Sequence, residues 1–132
     1  MGFLQKFEGT FYAVMRIVIG GLFALHGSTK MFNWPTAVPP EHAIQRFSQA
    51  WFGGIIELVT GVLVAIGLFT RPAAFLASGT MAVAYFQFHK GYELANWKWL
   101  PPVNGGEAAV MYCFIFLFIA ARGAGRAAID KN

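Results

Sequence analysis

Residues 11–32 read FYAVMRIVIGGLFALHGSTKMF. The run is apolar for long enough to cross a bilayer, whose core of about 30 Å takes roughly 20 helical residues. Yet it contains Arg16, His26 and Lys30. A charge held in lipid costs at least about 2.5–3.5 kcal/mol, so each of these side chains must face a partner, a cavity or the headgroups. A cleaved export signal has a short apolar run without charge. With Arg16 inside the run, it is read as a retained span.

Three further apolar runs follow. One covers about 51–69 and carries a single charge, Glu57. Thr70-Arg71-Pro72 then breaks the helix, because proline disfavours a helical residue before it. The next covers about 72–89 and ends at His89, and the last covers about 106–121, from Glu107 to the residue before Arg122. Composition agrees: 57% of the 132 residues are hydrophobic, 17% aromatic and 12% charged, against the roughly 25% charge of a soluble domain. So little charge excludes a disordered chain or a nucleic-acid arm. The single cysteine excludes a disulfide scaffold, and a net charge of +4 is too scattered for a polybasic patch. The expectation is one integral membrane domain over 1–132, all-α, an antiparallel four-helix transmembrane bundle with two long far-side loops.

Such a topology puts both termini on one side, the near side, with Lys6, Arg71, Arg122, Arg126 and Lys131. The far side holds Arg46, Lys90 and Lys98, with Lys30 at its edge. Positive residues favour the cytoplasm, so both termini are expected there, in a bacterial inner membrane. The far-side connections, 33–50 and 91–105, are rich in tryptophan, tyrosine and proline, and aromatic side chains prefer the headgroup level. They are expected to cap the membrane surface, with an interfacial helix over Glu41 to Gln49.

Charged residues within the spans point to a site. Arg16 and Glu57 read as an interhelical pair that fixes bundle register, although their Cα depths differ by roughly 10–13 Å. The alternative is a proton or ligand site. His26 and Lys30 lie four apart and share a helix face. With Glu57, His89 and Glu107 they bring ionisable groups from all four spans to the far half. A quinone suits this set: His26 and Lys30 can donate to its carbonyl oxygens, Glu57 or Glu107 can move protons, and Phe23, Phe52, Phe86 and Phe88 can line a slot. Haem between His26 and His89 and zinc on the histidines with Glu107 are weaker rivals, and no metal site is assigned. Lys30 can also snorkel to the headgroups, and Glu107 can serve as an anion at a helix N-terminus. Cys113 reads as a small hydrophobe. Gly20-Gly21 and Gly53-Gly54 read as helix-packing positions.

These elements resemble the DoxX family of small four-helix membrane proteins. The matching residues are Arg16, Gly21-Leu22-Phe23, His26-Gly27 and Lys30 in the first span, then Glu57, Gly61, Leu63 and Gly67-Leu68-Phe69-Thr70-Arg71 in and after the second. Asn104-Gly105-Gly106-Glu107 precedes the last span, and the tail Gly123-Ala124-Gly125 with Ile129-Asp130 resembles the family's closing elements, with alanine in place of a proline. The resemblance implies an integral subunit of a membrane redox complex, in contact with quinone and with protein partners. A non-catalytic scaffold or assembly subunit is the other function it implies. The ligand-binding set is then His26, Lys30, Glu57 and Glu107, with Arg16, Arg71 and His89 as structural or relay residues.

Overall fold

A computed structural model describes residues 1–131. The helices in chain order are α1 (Gly2–Gln5), α2 (Glu8–Phe32), α3 (Gln49–Ile66), α4 (Thr70–Gln87), α5 (Pro101–Asn104) and α6 (Glu107–Arg122), with 3-10 turns at Pro40–His42 and Ala95–Trp97. No strand occurs among the described residues. By length and composition, α2 and α3 are suited to cross a membrane. Helix α6 has 16 residues, short of the roughly 20 that a full crossing takes.

The second and third spans divide earlier than the proline suggests. Helix α3 stops at Ile66 because Gly67 takes a left-handed conformation (φ 72°), and its N–H with that of Leu68 closes on the Leu63 carbonyl. Thr70-Arg71-Pro72 therefore opens α4 instead of breaking a helix. Proline is tolerated in a first turn, where its missing N–H would have no intrahelical partner. The expected interfacial helix over 41–49 does not form beyond the Pro40–His42 turn. Ala43 is extended (ψ 134°), and Ser48 Oγ accepts the Trp51 N–H at 3.2 Å, which caps α3 and starts a new helix there.

Helices α2 and α3 pack antiparallel through a glycine seam. A Cβ at Gly20 would stand 2.6 Å from the Ala65 nitrogen, and one at Gly27 or Gly61 would drive into the backbone of Leu58 or Ala24. Gly54 belongs to the same seam, whereas Gly21 and Gly53 face open space, so only one glycine of each pair is a packing position. Helices α4 and α6 form a second antiparallel pair: Ser78 Oγ donates to the Cys113 carbonyl at 2.8 Å, and Arg71 donates to the Ala120 carbonyl at 3.1 Å. Phe23 joins the two pairs, 4.7 Å from Phe116 and 5.3 Å from Tyr112 between ring centroids. Polarity is inverted relative to a water-soluble protein. Arg16, Glu57, Thr60 and Ser78 are buried, while Val18, Val59, Phe75, Leu76 and Phe114 are exposed.

Both termini lie at one end, where the C-terminal tail folds back as a clasp. The Ile129 and Asp130 amides donate to the Ile66 and Gly67 carbonyls at 3.2 and 2.8 Å. The Asp130 carboxylate in turn accepts the Phe69 and Thr70 amides at 3.0 and 2.8 Å, capping α4. The Thr70 amide foremost, with the Phe69 amide beside it, holds the Asp130 carboxyl below the usual carboxylate range.

Candidate functional site at the loop end

At the opposite end, the last turn of α2 meets the middle of α3. Lys30 Nζ lies 2.7 Å from Glu57 Oε1. The Lys30 stem passes over Gly54, where a Cβ would approach it to 3.0 Å, so the glycine makes room for the ammonium to reach its partner. The Glu57 residue is only 3% exposed, and its second oxygen, Oε2, has no hydrogen-bond partner among the described residues. A buried carboxylate oxygen left unpaired costs free energy, and such an atom is available to a ligand or a proton.

The pair lines an open chamber of about 450 Å³ bordered by α2, α3, α4, α6 and the 33–48 loop. All 3 histidines of the chain border it: His26 from α2, His89 after α4 and His42 from the loop. His26 stands edge-on to Tyr112 at 5.9 Å, and His89 Nδ1 lies 3.4 Å from the Asn104 carbonyl. Phe23, Met81 and Phe88 supply apolar wall. A second cavity of about 490 Å³ runs between α3 and α4, and Lys30, Glu57, Ala50, Ala84 and Phe88 border both spaces. Chemically, the chamber offers a cationic donor, imidazoles that donate or accept, and a free carboxylate oxygen beside an apolar surface.

His26, Lys30, Glu57 and His89 are thus brought together. Glu107 does not border the chamber. It is exposed in the first turn of α6, although the following residues, Ala108 and Ala109, do border it. Its position suits the helix dipole. The Asn104-Gly105-Gly106 sequence before it builds the turn: Asn104 Oδ1 accepts the Gly106 N–H at 2.8 Å, and a Cβ on Gly106 would strike Tyr85.

Arg16 does not pair with Glu57. It is fully buried at the other end, where Nη1 donates to the Val64 and Ala65 carbonyls at 2.7 and 2.8 Å, and Nη2 to those of Arg126 and Ala127 at 3.0 and 2.6 Å. The reason is distance. Val64 is seven residues beyond Glu57, roughly 10 Å along the axis, and Lys30 is the cation at the carboxylate's own level. Arg71 likewise serves the backbone, donating to the Ala120 and Ala121 carbonyls at 3.1 and 2.5 Å at the end of α6. Both act as C-terminal caps of neighbouring helices. His42 and Tyr112 are chamber residues that pattern reading passes over. His42 lies in a proline-rich loop without periodicity, and Tyr112 sits in an apolar run where an aromatic reads as core. Among the described residues no group of three or more His, Cys, Asp or Glu side chains is arranged to hold a metal ion.

Comparison with known proteins gives three findings. The family model described as DoxX matches residues 11–90. An "Uncharacterized protein" of Haemophilus influenzae (strain ATCC 51907 / DSM 11121 / KW20 / Rd) is 38% identical over 132 residues, which are 100% of this chain and 97% of that protein. No solved structure matches.

Proposed function

The chain belongs to the DoxX family of membrane proteins, and from that membership we propose that it is an integral subunit of a membrane redox complex whose loop-end chamber takes the headgroup of a quinone. In this reading α2 and α3 cross a bacterial inner membrane and, with α4 and the shorter α6 embedded beside them, form an antiparallel four-helix transmembrane bundle. The termini, with Lys6, Arg126 and Lys131, face the cytoplasm, as the preference of basic residues for that side favours. A partner subunit supplies the electron donor.

The observation that carries the reading is Glu57. Its Oε1 is held by Lys30 while its buried Oε2 is unpaired beside a chamber bordered by three histidines. A quinone carbonyl needs a donor, which Lys30 or His26 supplies, and its reduction needs protons, which Glu57 can relay. Glu107 has no part in this site.

The test is quinone binding by purified protein in nanodiscs. His26→Ala is expected to weaken binding about tenfold, the loss of one hydrogen bond, at unchanged thermal stability. The scaffold reading has its own support: among the described residues Arg16 and Arg71 donate to backbone carbonyls alone. If it holds, wild type binds no quinone, His26→Ala is silent, and the chain still co-purifies with partner subunits in mild detergent.

A further inference from the structure

The cavity between α3 and α4 is not explained by a headgroup site. Phe52, Phe75, Leu76, Val83 and Phe88 border it, and its charged wall is again Lys30 with Glu57. Phe75 and Leu76 are 66% and 51% exposed, so the groove opens sideways, on the surface that faces hydrocarbon in a bilayer. Two glycines, Gly53 and Gly79, also border it, and a Cβ at either would meet nothing. Helix–helix contact therefore does not require these glycines. They leave space instead.

Resting on the proposed function, we infer that this groove holds the hydrocarbon tail of the ligand whose headgroup occupies the histidine chamber, so that the ligand is a tailed, lipid-borne quinone that enters laterally between α3 and α4. Three observations support the assignment. The two cavities adjoin at the same residues. Among the described residues, the charged side chains bordering the groove, Lys30 and Glu57, lie where it meets the chamber. Glu57 Oε2, buried and unpartnered, belongs to the side chain that borders both. A molecule with a polar ring and a long apolar chain matches that order of surfaces: chain along the phenylalanines, ring past Glu57, carbonyl oxygens among the imidazoles. A water-soluble substrate would leave the apolar groove unused.

The experiment fills the groove without touching the chamber. Gly79→Phe and the milder Gly79→Leu place side chains in open space on α4, and replacing a helical glycine favours folding. Gly21→Phe, on open α2 surface bordering neither cavity, is the control. Binding is measured in nanodiscs for a para-benzoquinone with a long isoprenoid tail and for the same ring bearing a methyl group instead. Gly79→Phe is expected to weaken the tailed quinone about tenfold or more, the scale of a steric misfit in an apolar slot. Gly79→Leu should weaken it less, and the tail-less ring should bind as to wild type. Equal affinity of the tailed quinone for wild type and both Gly79 variants overturns the groove assignment and leaves the headgroup site standing. Parallel loss of both quinones overturns it too, since a blocked tail path does not touch the ring. Binding of neither quinone by wild type removes the headgroup site itself, and the groove assignment with it.

Discussion

Arg16 and Lys30 are both cations inside one apolar helix, and their neighbours give them opposite characters. Arg16 donates through its two Nη atoms to four carbonyls at the clasped end, far from Glu57. Arg16→Met is expected to lower stability in detergent by about 3–5 kcal/mol, because it strands buried carbonyls. Arg16→Lys should recover only part, since an ammonium cannot match a planar fork of donors. Thermal unfolding of the two variants measures this, and an unchanged midpoint for Arg16→Met would contradict the capping role. At the other end, Lys30 has a third of its side chain exposed and Glu57 almost none, at 33% and 4%. Lys30→Met therefore leaves a buried carboxylate alone and should cost about 3 kcal/mol or more. Glu57→Gln should cost less, because the lysine can snorkel outward. Stability measurements that reverse this order would show that the lysine is the more deeply committed partner.

At the scale of helices, adjacent glycines separate packing from open surface. Gly20→Leu would force α2 off α3 and should destabilise the protein by about 3 kcal/mol or more, whereas Gly21→Leu should be neutral or slightly stabilising. Comparing melting temperatures of the two variants checks the antiparallel seam directly. The cap on α4 makes a pH prediction. The Thr70 and Phe69 amides hold the Asp130 carboxyl below its usual range, so its folded pKa lies below the unfolded one. The stabilisation is then complete above the ordinary aspartate value of about 3.9 and is lost as pH falls through the lower folded value. Asp130→Asn should be less stable than wild type at neutral pH, and the difference should close only on strong acidification. A gap that instead closed between neutral pH and pH about 5 would not fit an aspartate. This cap is not visible in the sequence, where Asp130 stands 60 residues from Thr70. Glu57 as a buried charge was legible from its apolar surroundings, but its choice of Lys30 over Arg16 was not. That choice depends on relative helix level, which the long intervening loop leaves free.

Across the whole molecule, the two ends differ in kind. The terminal end is closed: the tail pairs with α3, caps α4, and receives Arg16, while Tyr12 Oη donates to the Gly123 carbonyl at 2.6 Å. Deleting residues 123–132 should therefore prevent accumulation of folded protein, even though the tail is outside every apolar run. Size-exclusion profiles of the truncated and full chains decide it. The loop end is open and carries the chamber. In the proposed orientation, a fluorescent protein that folds only in the cytoplasm should be bright when fused at the C-terminus, and an exported phosphatase there should be inactive. The reverse pattern would invert the bundle and put the chamber on the cytoplasmic side.

Hydropathy alone determined that this is an all-α membrane protein in which α2 and α3 are long and apolar enough to cross a bilayer, because a run of about 20 apolar residues is a property of composition along the chain. Charge inside those runs also singled out Arg16, Lys30 and Glu57 as residues in need of partners, since an unpaired charge in lipid is costly. Which charges meet was decided by tertiary structure. Lys30 met Glu57 because the glycine seam set the register of α2 against α3. Arg16 met carbonyls because α3 ended at Gly67 within its reach. His42 entered the chamber because a loop without periodic pattern folded over it, and Glu107 stayed outside because the turn built by Asn104 set the start of α6 at the rim. Side-chain partners depend on helix level, rotation and loop path, and these are fixed by contacts between residues far apart in the chain, which one-dimensional periodicity does not encode.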